Sequence, residues 1–290
     1  MDCIYINLNS ATERRLKFES NFEARKTPNW TLSRFAAIDT DTVKNNNVAG
    51  ECNPAEKGCF LSHKVIIESN LAHDKSIFIL EDDASFGVRT CNLIDGILAQ
   101  NRNLDWDILF TDVCIPHLTT MMDLLKFRRE LTAKKIEVAF MKLSKTNFNG
   151  STAYIVNAKS KQKLFDQLNY ATELNIPYDL YLRSLIHISA LKGYSLFPFV
   201  TSLSDFSDIS QVKLPGANRD ELTWNMFRKM IWLERNLASC TSAVESIKGG
   251  LSEQNLAAHA DMVSSPDKEL QAFGILFSSM TAQRAQQRGL

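Results

Sequence analysis

The chain has 290 residues, and its 33 basic and 33 acidic side chains leave a formal net charge of zero, so no global field invites nucleic acid or an anionic membrane. Its 44% hydrophobic and 23% charged residues are those of an ordinary globular protein, long enough for a sizeable core. No run of about 18 apolar residues offers a spanning helix.

The opening residues, Met1 to Asn9, lack the basic start and long apolar run of a secretory signal. Six cysteines (Cys3, Cys52, Cys59, Cys91, Cys114, Cys240) stand without paired spacing, which predicts neither a disulfide framework nor a zinc site. Reduced thiols in a cytoplasm are the expectation.

Apolar runs alternate with helical patterns along the first two-thirds, the signature of α/β architecture. Cys3 to Leu8 reads as the first strand. Ser10 is the expected N-cap of a helix from Ala11 to about Ala24, with Glu13 completing a capping box. Leu32 to Ile38 reads as a strand ending at Asp39, and the polar stretch Thr40 to Asn53 as a surface loop. Asn53, Pro54 and Glu56 signal a helix start. Ser76 to Leu80 is a buried strand that stops at Glu81-Asp82-Asp83.

Further on, Trp106 to Phe110 reads as a strand, Leu118 to about Lys135 as a helix and Ile136 to Leu143 as extended chain. Asn149-Gly150-Ser151 forms a turn into the strand Thr152 to Val156, and Asn157 caps a helix over Lys159 to Leu168. Pro177 to about Leu191 is helical and Tyr194 to Val200 the last strand. Strand-like runs then vanish. Leu222 to Ile247 and Ser252 to Phe277 read as helices, so a boundary is expected near residue 215, between a catalytic domain (1–215) and a helical extension (216–290).

IFILEDDA, residues 77–84, is the most informative segment. Three carboxylates in a row after a buried strand repel one another and are costly to desolvate. A divalent cation relieves both terms, and Mg²⁺ or Mn²⁺ prefers such oxygen ligands while leaving positions for phosphates. Ligands of open α/β sheets bind beyond the carboxyl ends of strands, where this cluster falls. Read alone, the tripeptide fits a solvated turn equally well.

IYINLNSATERR (4–15), FAAID (35–39), EKGCFLSHKVI (56–66), ILEDDA (79–84), NGSTAYIV (149–156) and PYDLYL (177–182) occur in order, and together they resemble glycosyltransferase family 25. That family includes bacterial lipooligosaccharide galactosyltransferases and animal collagen galactosyltransferases. The resemblance implies a GT-A type, Rossmann-like fold with a mixed central sheet. It also implies a UDP-sugar donor, often UDP-galactose, a Mn²⁺ (or Mg²⁺) cofactor and inversion at the anomeric carbon.

Carried onto this chain, the resemblance makes Asp83 and Glu81 metal ligands, with Glu81 or Asp82 holding the ribose or a metal-bound water. Asn7 and Leu8 would seat the uridine, Arg14 or Arg15 would reach a phosphate, and Asp39 would meet ribose hydroxyls. Ser62 and His63 would line the donor crevice, and Gly150, Ser151 and Thr152 would offer donors to sugar hydroxyls. Asp179 is the first candidate for the base and Asp112, where the family more often has a small residue, the second. Asp205 and Asp208 resemble the family's final block, with Asp208 as a further metal ligand.

The C-terminal segment has no match to the family. LTWNMFRKMIWLERNL reads either as an amphipathic helix at the inner membrane face or as a core or dimer-packing helix; eight basic and eight acidic residues over 216–290 give no polybasic attraction. The expected partners are a nucleotide-sugar donor and a glycan or glycolipid acceptor. The rival readings are a non-catalytic nucleotide-sugar or glycan-binding relative and a metal-dependent phosphohydrolase. The second would need further metal-ligating His or Asp at close spacing, and the five histidines here (His63, His73, His117, His187, His259) are dispersed.

Overall fold

The computed structural model describes residues 1–204 and 219–287. It begins with β1 (Asp2–Asn7), α1 (Thr12–Glu23), β2 (Thr31–Ala36), α2 (Thr40–Asn45) and α3 (Pro54–Ser69). Then come β3 (Ile77–Glu81), β4 (Ala84–Phe86), α4 (Thr90–Gln100), β5 (Ile108–Phe110), α5 (Leu118–Ala133) and β6 (Ala139–Lys142). β7 (Ala153–Val156), α6 (Lys161–Asn169), α7 (Tyr178–His187), β8 (Gly193–Phe197) and β9 (Thr201–Leu203) follow. The C-terminal part is helical: α8 (Arg219–Ile231), α9 (Leu237–Lys248), α10 (Glu253–Ala257), α11 (Ala260–Val263) and α12 (Lys268–Gln287).

Seven strands form one mixed sheet in the order β2-β1-β3-β7-β5-β8-β6, and β4 pairs β9 in a separate ribbon. β1 runs parallel to β2 and β3, whereas β7 lies antiparallel to both β3 and β5, with Tyr154 opposite Ile79 and Phe110. The carboxyl ends of β1, β3 and β5 therefore share one edge with the start of β7. This reversal brings Gly150-Ser151-Thr152 beside Glu81-Asp82-Asp83, some seventy residues away in sequence. Thr152 accepts a backbone bond from Glu81 N at 2.8 Å.

Side chains alternate across the sheet with the period of two that strand geometry requires. Ile77, Ile79, Tyr154 and Val156 join one apolar cluster; Phe78, Leu80, Ala153 and Ile155 join the other. Burial on both faces is why IFIL and AYIV are unbroken apolar runs. Each large side chain so buried contributes about 1.5–3 kcal/mol.

The second cluster is closed by Phe18 and Phe22 of α1, with Trp30 and Phe86 packed edge to face against Phe78. The first is closed by α3, α5, α6 and α7, and also by Phe227 and Met230 of α8, Val244 of α9 and Phe273 and Phe277 of α12. The helices beyond residue 215 thus pack into the core of the sheet. Glu269 fastens them by accepting from Arg128 and Arg235, each at 2.8 Å. The apolar face of LTWNMFRKMIWLERNL turns inward, with Phe227, Met230 and Ile231 fully buried and Trp224 and Trp232 half-buried.

α3 begins as its sequence predicts: Asn53 accepts from Ala55 and Glu56, and Glu56 reaches back to Asn53 N. It crosses so near β2 that a Cβ on Gly58 would lie 2.2 Å from Ile38 O. Only glycine fits there.

Several boundaries differ from expectation. Ser10 does not cap α1; the N-cap is Ala11, because Ala11 N bonds Leu8 O in a tight turn that leaves Ser10 one position short. The stretch after Asp39 is not a plain loop: Asp39 accepts from Thr42 N and nucleates α2. The expected Leu222–Ile247 helix is broken at Trp232 to Asn236, where Asn236 caps a new helix by accepting from Ser239 N. The expected Ser252–Phe277 helix is likewise three helices, α10, α11 and α12. The expected boundary near residue 215 lies outside the described residues.

Candidate active site

β3 delivers three carboxylates to the sheet edge, and each meets a different environment. Glu81 Oε1 accepts from Ser151 Oγ at 2.7 Å and stands 3.7 Å from His63 Nε2. Burial works to raise its pKa, but the nearby His63 ring, the hydrogen bond from Ser151 and the charge of Arg228 outweigh it and hold Glu81 below the ordinary value.

Asp82 is committed to the fold. Its Oδ2 accepts from Asn7 Nδ2 at 2.7 Å, and its Oδ1 accepts from Arg14. Asn7 is fixed in turn by Arg34, whose Nε donates to Asn7 Oδ1 at 3.0 Å. The carboxyl ends of β1 and β3 and the start of α1 are thereby tied together.

Asp83 is the least satisfied of the three carboxylates. Arg14 Nη2 is 3.7 Å away, and Oδ1 is buried with no hydrogen-bond partner. Burial, and then the charge of Glu81, push its pKa up to about 7. A buried, unpartnered carboxylate oxygen next to a second carboxylate is a donor set that suits a hard divalent cation.

Two cavities meet at this point, and both are lined by Glu81 and Asp83. The larger, about 530 Å³, opens between the end of β1, α2 and α3, and is bounded by Leu8, Arg14, Ile38, Asp39 and His63. Its size falls in the usual small-molecule range of about 300–1,000 Å³. The smaller, about 260 Å³, is bounded by Asn149, Gly150, Asp179, Trp224 and Arg228.

Asp179 is held firmly in the smaller cavity. Gly150 N donates to Oδ2 at 2.7 Å and Leu180 N to Oδ1 at 2.9 Å. Gly150 sits at φ +88°, a left-handed conformation that lets its N–H point at Asp179. Arg228 enters from α8, donating to Asp112 and, at 3.1 Å, to Thr152 Oγ1. Its charge reaches Asp83 and Glu81.

The description "Glycosyltransferase family 25 (LPS biosynthesis protein)" belongs to the sequence family whose model matches residues 1–182, more than half of the chain. The chain belongs to glycosyltransferase family 25. It is a glycosyltransferase with the mixed α/β sheet expected of it. A comparison with curated proteins gives no match. Among solved structures, the apo crystal structure of mouse xyloside xylosyltransferase 1 is similar with a TM-score of 0.34 at 10% identity, over 67% of this chain and 77% of that one. Likeness of that degree bears on neither substrate nor mechanism.

The family blocks converge in space. Asn7, Leu8, Arg14, Asp39, Ser62, His63, Glu81, Asp82 and Asp83 all bound the larger cavity, and Gly150, Thr152 and Asp179 the smaller. Arg15 does not join them; its guanidinium Nε lies 4.0 Å from Glu19, one turn along α1, and it bounds neither cavity. Ser62 is fully buried, donating to Gly58 O and accepting from Ile38 N, so its hydroxyl pins α3 to the end of β2. The N–H of Gly150 and the hydroxyl of Ser151 are engaged by Asp179 and Glu81. They orient carboxylates rather than wait for a sugar. Asp112 is buried against Arg228 and Thr201 and bounds neither cavity. Asp205 and Asp208 lie outside the described residues.

The sequence reading missed Arg228 and Trp224, which lie beyond the family blocks, and Tyr154 and Tyr178, which lie within them. His63 Nδ1 bonds Tyr154 OH at 2.9 Å, Tyr154 OH bonds Tyr178 OH at 2.8 Å, and the His63 and Tyr178 rings stack at 4.2 Å. Both tyrosines sit in motifs already singled out, so their neighbours' signals covered them. No helix among the described residues is long and apolar enough to cross a membrane.

Proposed function

We propose that this family 25 chain transfers a hexose, galactose from UDP-galactose in the first instance, to a hydroxyl of a saccharide such as lipooligosaccharide or another surface glycan, with inversion. The observation that carries the reading is the meeting of two cavities at Glu81 and Asp83, one large enough for a nucleotide and one holding a fixed carboxylate, Asp179.

In this reading the larger cavity takes the nucleotide. Leu8 and Ile38 supply apolar contact for the base, Asp39 faces the ribose, and Arg14 offers a cation to the diphosphate. Asp83 and Glu81 would hold Mn²⁺ or Mg²⁺, with Asp208 a further ligand, and such an ion supplies charge neutralisation to the departing diphosphate. Asp82, bound by Asn7 and Arg14, keeps Arg14 aimed at the same place.

The acceptor occupies the smaller cavity. Its hydroxyl oxygen bonds to the anomeric carbon on the face opposite the diphosphate as the carbon–oxygen bond to UDP breaks, leaving the electron pair on UDP. Asp179 receives the hydroxyl proton. Its two backbone hydrogen bonds hold it in position for that transfer. Arg228 places a further positive charge beside Glu81 and Asp83, where negative charge accumulates. A glycolipid acceptor would be met at the inner membrane face by a cytoplasmic enzyme.

Calorimetric titration with a panel of UDP-sugars in the presence of Mn²⁺ tests this directly. The proposal expects binding of at least one UDP-sugar, weakened at least tenfold in Asp83→Ala. Binding by neither UDP nor any UDP-sugar sinks it, and binding with no turnover on any acceptor leaves a nucleotide-sugar-binding relative instead.

A further inference from the structure

Cys59 and His63 stand one turn apart on α3, and so share a face. That face meets the end of β3. Cys59 Sγ, a His63 ring nitrogen and a Glu81 carboxylate oxygen all lie within 4.8 Å of one another on the wall of the larger cavity. The sequence spacing alone predicts no zinc site, because the third ligand comes from a strand eighteen residues on.

The ring of His63 is fixed as a ligand ring would be. His63 is fully buried, its Nδ1 is bonded to Tyr154 OH, and Tyr178 stacks on its face at 3°. A hydrogen bond at the second ring nitrogen is the usual means of orienting a metal-binding histidine. The other nitrogen, Nε2, is buried with no hydrogen-bond partner and lies 3.7 Å from Glu81 Oε1, too far for a hydrogen bond. Ligands bound to zinc at about 2.0–2.3 Å stand roughly 3.3–3.8 Å apart in a tetrahedron, so this pair already has the spacing of two zinc ligands.

Cys59 completes a set of thiolate, imidazole and carboxylate. Burial and the acidic neighbours Glu81, Asp179 and Asp83 keep its thiol protonated. The same negative surroundings attract a cation, whose binding sends the thiol proton to solvent as the metal–sulfur bond forms. Sulfur and imidazole ligands select zinc-like ions over Mg²⁺ or Mn²⁺.

We propose that Cys59, His63 and Glu81 form a binding site for a thiophilic divalent cation of the Zn²⁺ type, with its fourth position open to the larger cavity. Occupation takes Glu81 away from Ser151 and places a metal on the cavity wall, so zinc inhibits sugar transfer. The inhibition rests on the transferase reading above; the binding does not.

Cobalt(II), added alone to the full chain, is the probe. The site gives a thiolate-to-cobalt charge-transfer band in the near ultraviolet with visible bands of tetrahedral intensity, and zinc displaces both. Cys59→Ser loses the charge-transfer band while Cys114→Ser keeps it, and His63→Gln weakens cobalt binding at least tenfold; near-ultraviolet circular dichroism establishes that each variant is folded. Absence of the band in the wild-type chain, or its survival in folded Cys59→Ser, overturns the site. Where a UDP-sugar is turned over, micromolar zinc lowers that turnover in excess Mn²⁺, and Cys59→Ser loses this sensitivity relative to its own zinc-free rate. A cobalt band without any transfer reaction sustains the site and counts against the transferase reading; turnover without a band does the reverse.

Discussion

Arg228 of α8 and Asp112, two residues past β5, form a buried ion pair in which Arg228 Nε donates to Asp112 Oδ2 at 3.1 Å and Nη2 donates to the same oxygen. Both side chains are almost wholly removed from water, at 6% and 0% exposed. The pair joins the C-terminal helices to the carboxyl edge of the sheet. It also fixes Asp112 in the interior, away from both cavities.

Removing one partner strands the other charge in the interior. Asp112→Ala or Arg228→Met should destabilise the chain by about 3–5 kcal/mol, measured by urea unfolding. The double variant Asp112→Ala/Arg228→Met should cost less than the two single changes summed, because the pair leaves no partner charge stranded. Additive losses would show that the two groups are not coupled.

Asp83 should give the metal-free chain a recognisable pH dependence. Its pKa is about 7 in the fold and about 3.9 in an unfolded chain, so between those values the folded state binds more protons. Its contribution to stability is therefore present in full below about pH 4 and is lost as pH rises through 7. Asp82, also raised by burial, acts in the same direction. Mn²⁺ should raise the melting temperature more at about pH 8 than at about pH 5.5, and Asp83→Asn should remove most of that difference. An equal rise at both pH values in the wild type would contradict it.

Asp179→Asn keeps an acceptor for Gly150 N but cannot take a proton. A fall in kcat of about 10²–10⁴-fold is expected, with UDP-sugar affinity within a few fold of wild type. Single-turnover kinetics and calorimetry together read the split. Equal loss in Asp112→Asn, with Asp179→Asn active, would transfer the role of base to Asp112.

Gly58→Ala puts a Cβ 2.2 Å from Ile38 O, where backbone rather than a flexible side chain must yield. Overpacking of this kind costs about 1–3 kcal/mol, and because it separates α3 from the end of β2 it should also weaken nucleotide binding. Thermal melting with and without UDP checks both effects.

The seven strands of the main sheet were legible in the sequence because local chemistry specified them. β4 and β9, three residues each, were not, and Tyr194 to Val200 was expected to be the last strand. Asn53-Pro54-Glu56 carried its own capping box, and IFIL and AYIV were apolar throughout because both sheet faces are covered. α4 was not legible: no side chain caps it and Gly96 interrupts its middle. α2 was hidden by its polar composition, although Asp39, its cap, had been singled out for another role.

The site was legible up to the residues that the six blocks contain. How they divide the work was not. That Asp82 is bound by Arg14 and Asn7 while Asp83 keeps an unpartnered oxygen depends on where β1 lies beside β3. Arg228 was visible only as a polar position on an amphipathic helix. Its approach to Asp112 spans 116 residues and follows from tertiary packing alone.

The central claim is that Glu81 and Asp83 stand where a nucleotide sugar is cleaved and its sugar transferred. The most direct measurement is UDP release from a panel of UDP-sugars with Mn²⁺ and saccharide acceptors, comparing the wild-type chain with Asp83→Ala. Acceptor-dependent UDP release by the wild type, UDP-galactose being the preferred donor, with a loss of at least a hundredfold in Asp83→Ala, is the predicted result. No release from any UDP-sugar, or equal release by Asp83→Ala, would contradict it.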